Sequence, residues 1–193
     1  MPNVSRSAAG MPAAAQAMEA EALFDWLVSE YKDRLYTYVR RLVQQRSEGE
    51  DLTQEVFIRA YRSLPAFRRE AQYDTWLYRI ATNLVIDRHR RRQRQPDALS
   101  FEDEAGEVAN LPATRRAANP AGSLEARELQ ERVRRAVASL PIKLRLAVAL
   151  HDLQGLSYEA TSEALGCPVG TVKSRLFNAR NLLKKKLRDY LET

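Results

Sequence analysis

Apolar residues recur every three or four positions through most of the chain, the spacing of one face of an α-helix. Strand-like alternation of useful length is not found. Leu23, Leu27, Tyr31, Leu35, Tyr38, Val39 and Leu42 predict an amphipathic helix that stops between residues 45 and 49. The run DLTQEVFIRAYRSL, residues 51–64, predicts a second helix, with Asp51 suited to its N-terminus and Pro65 ending it. Its apolar arc holds Leu52, Val56, Phe57, Ala60, Tyr61 and Leu64. A third helix is expected over 75–94, TWLYRIATNLVIDRHRRRQR, burying Trp76, Leu77, Ile80, Ala81, Leu84 and Val85 and turning Tyr78, Arg79, Thr82, Asn83, Ile86, His89 and Arg90 outward. Helices over 125–139 and 143–153 follow on either side of Pro141. The fold class expected is all-α.

The segment LSYEATSEALGCPVGTVKSRLFNARNLLKKKL, residues 156–187, has the grammar of a helix-turn-helix. Ser157 is placed to cap a short helix, Gly166 to relax the turn, and Thr171 to start a second helix. On that second helix Val172, Leu176, Ala179, Leu183 and Leu187 form one apolar stripe. The opposite face carries Lys173, Ser174, Phe177, Asn178, Asn181 and Lys185. Such a set can bond phosphates and base edges, and Phe177 can touch a thymine methyl. An aromatic ring among polar residues, beside the basic run 184–186, favours DNA recognition over an ordinary solvated face.

Between these blocks, residues 96–124 hold Pro96, Pro112, Pro120, Gly106, Gly122 and the acidic run Glu102, Asp103 and Glu104, which reads as a flexible linker. The organisation expected is a disordered tail over 1–22, a small helical domain over 23–95, the acidic linker over 96–124 and a second helical domain over 125–193, tethered rather than fused. Met11 and Met18 are alternative starting methionines. The net charge of +6 favours an anionic partner, and basic residues exceed acidic ones in both helical blocks but not in the linker.

Enzyme chemistry finds no support. There are two histidines and one cysteine, no clustered metal ligands and no Gly-rich phosphate loop, so neither a cofactor nor a metal is expected. The lone Cys167 excludes an internal disulfide and points to a reducing compartment. No apolar stretch is long enough to cross a bilayer, so direct membrane insertion is not expected and the localisation read is cytoplasmic.

The first basic block is less explicit. Asp51, Gln54, Glu55, Ile58, Arg59 and Arg62 share one side of the second helix, and the residues alone leave that side open between a solvated face and a partner surface. Trp76 reads as core rather than ligand. The arginines at the end of the third helix suit either a helix C-terminus or DNA phosphates, while Arg79, Thr82 and Asn83, beside Phe67 and Tyr73, suit unpaired bases.

With both blocks read, the chain resembles the extracytoplasmic-function sigma factors, the compact sigma-70 class with only sigma domains 2 and 4. DLTQEVFIRAYRSL resembles that family's polymerase-binding helix, TWLYRIATNLVIDRHRRR its promoter-melting and minus-ten-reading helix, and LSYEATSEALGCPVGTVKSRLFNAR its minus-thirty-five reader. The resemblance implies a factor that directs core RNA polymerase to promoter DNA and promotes strand opening. It implies polymerase contacts at Asp51, Gln54, Glu55 and Ile58. Minus-ten contacts are implied at Phe67, Arg68, Arg69, Tyr73, Arg79, Thr82, Asn83, Arg88 and Arg90, and minus-thirty-five contacts at Thr171, Lys173, Ser174, Arg175, Phe177 and Asn178. It also implies control by an anti-sigma factor. Asn178 stands where relatives often carry Arg, and Thr161 and Ser162 where they commonly carry an aliphatic residue and Ala. The competing reading is a conventional helix-turn-helix regulator that binds duplex DNA without polymerase; the first block shows no evident sensor pocket for one.

Overall fold

Ala is the strongest helix former, and the Ala-rich stretch before the first amphipathic repeat uses that propensity. In the computed structural model, which describes residues 13–43, 45–67, 72–94 and 124–191, helix α1 runs Ala13–Arg40. Residues 13–22, expected in the disordered tail, are therefore helical; residues 1–12 lie outside the described residues.

Helix α2 spans Arg46–Ser63 and so starts before Asp51, which lies within it rather than at its N-cap. Two features draw the helix back. Glu48, only 5% exposed, accepts hydrogen bonds from Arg88 and Arg92, each at 2.8 Å. Gly49, which reads as a breaker in the sequence, is buried where a Cβ would come within 2.9 Å of the Arg40 Cδ. A 3-10 turn, Leu64–Ala66, then redirects the chain around Pro65. Helix α3 spans Tyr73–Arg94.

Helices α1, α2 and α3 bury Leu35, Tyr38, Val39, Val56, Ala60, Leu77, Ala81 and Val85 between them. Tyr38 hydrogen bonds Thr82 at 2.8 Å and meets the Tyr78 ring edge-on at 5.2 Å. Burial raises the Tyr38 hydroxyl above the usual tyrosine range and pushes Tyr78 up to about 12. Tyr78 and Thr82, expected outward, are thus core residues: α3 is covered on more than one side.

In the second half, α4 (Leu124–Ala138) and α5 (Ile142–Val148) flank Pro141, and α5 widens into a π-helical turn, Ala149–Leu153. Helix α6 (Tyr158–Leu165) and helix α7 (Val169–Leu191) complete it. Val172, Leu176 and Ala179 pack with Leu140, Ala147 and Val148, which fixes α7 by its apolar stripe.

The two halves are docked, against the expectation of domains that are only tethered. Leu146, Ala149, Leu150, Leu156 and Ala164 complete the same apolar cluster as Leu77 and Ala81, with α6 lying on α3. The Tyr78 hydroxyl donates to Gln154 Oε1 at 2.9 Å, and Arg145 donates to the Leu42 carbonyl at 3.5 Å and the Leu140 carbonyl at 2.9 Å. Beside this apolar contact the junction has an incompletely satisfied polar part: Arg41 Nη1, Arg145 Nε and Gln154 Nε2 are buried without a hydrogen-bond partner. Each such group costs about 1–3 kcal/mol, which weakens the dock relative to a dry core. Burial lowers both the Arg41 and the Arg145 guanidinium below their ordinary range. The linker reading, 96–124, lies almost wholly outside the described residues, which resume at Leu124.

Candidate nucleic-acid interface

The turn between α6 and α7 is built from local hydrogen bonds. Ser157 Oγ accepts from the Ala160 N–H at 3.0 Å, the capping role expected of it. Gly166 takes φ +59°, the left-handed conformation that ends α6 and that a β-carbon would strain. The Ser162 hydroxyl donates to the Cys167 carbonyl at 2.5 Å and tightens the turn. Thr161 is fully buried, yet its hydroxyl has no partner, so this position carries an unmet polar group where an aliphatic side chain would carry none.

Helix α7 begins at Val169, which puts Thr171 in its first turn rather than at its start. Lys173, Ser174, Phe177 and Asn178 are exposed together on the side away from Val172, Leu176 and Ala179, and Phe177 is 66% exposed. The phenyl ring takes no part in the core on the reverse side of α7. The Lys173 ammonium lies 5.4 Å above the Tyr158 ring, which itself stacks on His151 at 4.3 Å. Arg175 is half-buried and donates to Cys167 Sγ at 3.4 Å, so its guanidinium lies over the turn. Arg180 holds Asp152 at 2.6 Å and braces α7 against the π-helical turn.

On α2, Asp51, Gln54 and Ile58 are exposed, Ile58 at 45%, while Glu55 is half-buried and accepts from Arg59 at 2.8 Å. All four side chains share one face. Tyr61, expected in the apolar arc, is 49% exposed and packs edge-on against Phe24 of α1 at 5.0 Å.

At the start of α3, Phe67 stacks on Tyr73 at 5.1 Å and tilts against Trp76 at 4.6 Å. Arg68 and Arg69 lie outside the described residues. Arg79 and Asn83 are exposed on α3, but Thr82 is 1% exposed and turned to Tyr38, so it cannot meet a base in this arrangement. Arg88 is committed to Glu48, whereas Arg90 is exposed beside Asp87 at 3.9 Å. The sequence reading missed Glu48 and Gln154, whose partners lie far along the chain. It also missed Trp26 of α1, whose indole is 48% exposed and 6.0 Å from the Tyr73 ring. Among the described residues no group of three or more His, Cys, Asp and Glu side chains could hold a metal, and no helix is long and apolar enough to cross a membrane.

Residues 27–95 match the family model for sigma-70 region 2, and residues 130–183 that for sigma-70 region 4. The chain is 39% identical over 169 residues to the ECF RNA polymerase sigma-E factor of Escherichia coli strain K12, covering 87% of this chain and 88% of that one. It is 36% identical over the same span and coverage to the RNA polymerase sigma-H factor of Pseudomonas aeruginosa. Its fold matches the sigma factor RpoE in the co-crystal structure with the anti-sigma factor NepR from Bartonella quintana, with a TM-score of 0.69, 28% identity and coverage of 86% of this chain and 96% of that one. CnrH, solved in complex with the cytosolic domain of CnrY, shares the fold at a TM-score of 0.64 and 23% identity. Two family segments in order and relatives aligned across most of both chains lead to one conclusion: the chain belongs to the extracytoplasmic-function sigma factors of the sigma-70 family.

Proposed function

We propose that this sigma factor uses its two halves for separate readings of one promoter, with core RNA polymerase supplying all the chemistry. Helix α7 reads the minus-thirty-five element in the major groove: Lys173 and Arg175 supply charge, Ser174 and Asn178 reach base edges, Phe177 makes the apolar contact and Thr171 a contact near the helix start. Phe67 and Tyr73 capture an unpaired minus-ten base, with Arg68, Arg69, Arg79 and Asn83 around it and Arg90 on the backbone. Asp51, Gln54, Glu55 and Ile58 form the polymerase contact, a mixed polar and apolar face suited to a helical partner. An anti-sigma factor regulates the chain, as the Bartonella quintana relative is bound by one. The site of action is the cytoplasm, where promoter DNA is.

Geometry adds a step. The two elements are about 25 base pairs apart by name, roughly 85 Å of duplex at about 3.4 Å per pair, whereas a folded chain of this length has a radius of gyration near 16 Å. The docked halves must part before both readers engage, and the unsatisfied donors around Arg145 and Gln154 make the junction separable.

The single observation that carries this reading is the bare Phe177 face of α7 on a helix whose reverse side is buried. In vitro transcription with purified core polymerase on a cognate promoter tests it. Initiation from one defined start that depends on the added chain is expected; equal duplex binding with and without core, and no transcript, would return the reading to a conventional regulator.

A further inference from the structure

The rings around Phe67 do not stop at the loop. Trp76 of α3 meets Phe67, Phe67 stacks on Tyr73, and Tyr73 meets Trp26 of α1 edge-on at 6.0 Å, which forms a continuous aromatic wall. Trp26 extends this wall with its indole half exposed and meets Tyr31 of α1 edge-on at 6.0 Å, one residue before the segment matched by region 2. A folding role does not require that exposure, because Leu27 on the same turn already provides the buried contact at 0% exposure.

We propose that Trp26 is a further DNA-binding residue: it stacks a second unpaired base of the opened strand, next to the base held by Phe67 and Tyr73. This rests on the minus-ten reading above. An indole is the side chain best suited to the role, since every base presents a π-face and stacking needs no particular donor pattern. Charge of the sign that DNA needs is close by: Arg34 of α1 lies 5.6 Å over the Tyr31 ring, which meets Trp26 edge-on at 6.0 Å. The rival occupant, a polymerase surface, would not need the indole to continue a wall of base-sized rings.

The test uses holoenzyme and a single-stranded oligonucleotide of the minus-ten sequence with 2-aminopurine beside the captured base. Wild type quenches the probe; Trp26→Leu abolishes the quenching and weakens oligonucleotide affinity by about tenfold, the size of one lost stack. Trp26→Phe restores most of both, and affinity for core polymerase is unchanged in each variant. Lost core affinity with normal quenching would overturn the proposal in favour of a protein contact. Unchanged affinity and quenching in Trp26→Leu, with a large loss in Phe67→Ala, would overturn it while leaving the minus-ten reading intact. Insensitivity of both variants would overturn the two together.

Discussion

Helices α7 and α3 carry the two surfaces proposed to face DNA, and they differ in how many sides are covered. Helix α7 packs by one stripe, Val172, Leu176 and Ala179, and leaves a clean exposed face from Lys173 to Asn178. Helix α3 packs on α1 and α2 and also receives α6, so Tyr78 and Thr82 are buried while Arg79 and Asn83 beside them remain open. Helices α4, α5 and α6 all meet α7, but its buried residues keep to one stripe, and a helical wheel sorts such a helix correctly. Where partners cover several sides, as on α3, polar residues such as Thr82 go inward and satisfy their hydroxyls there.

That contrast is sharpest at neighbouring positions. Thr82→Lys places a charge between α3 and Tyr38 and is expected to cost at least about 3 kcal/mol, whereas Asn83→Lys and Ser174→Lys stay within about 0.5 kcal/mol. Denaturant titration of the three proteins checks this, and equal midpoints would break the comparison. The basic ends differ as well: Glu48 ties down Arg88 and Arg92 on α3, while Lys184, Lys185 and Lys186 on α7 are exposed. Glu48→Gln is expected to cost about 1–2 kcal/mol and to steepen the salt dependence of DNA binding by up to about 2 in log–log slope as two arginines become available to phosphates.

Smaller effects probe what lies under each helix. Thr161→Val removes the orphaned hydroxyl of α6 without changing shape and should stabilise by about 1 kcal/mol, a rise of about 2–4 °C in Tm by calorimetry. The smallest effect at neutral pH concerns Tyr78. Its folded pKa is raised from 10.0 to about 12, so the unfolded chain releases that proton first as pH rises. The Tyr78 contribution is constant below pH 10 and is lost between 10 and 12 as the unfolded state binds fewer protons. Tyr78→Phe should make that alkaline fall shallower in melts over the same range; Tyr38, raised by burial as well, retains the remainder.

The sequence was most informative where structure is local. The cap at Ser157, the turn at Gly166 and the face of α7 depend on residues within one or two turns, and each is found where periodicity put it. Helix α3 was bounded to within two residues by its repeat and by Pro96. What stayed hidden depends on partners far along the chain: the start of α2, anchored by Glu48 to Arg88 across 40 positions, and the dock of Tyr78 on Gln154 across 76. Neither leaves a periodic trace. Trp26 escaped notice because a single exposed indole on a helix that is otherwise amphipathic becomes informative only when Tyr73 is seen beside it.

The most direct test of two separate readers is transcription from a promoter whose minus-ten region is already opened by mismatches. If α7 binds duplex and the Phe67 site captures unpaired bases, the opened template rescues Asn83→Ala and Phe67→Ala but leaves Phe177→Ala and Lys173→Ala defective. Equal rescue of all four, or of none, would contradict the assignment of the two helices to different steps.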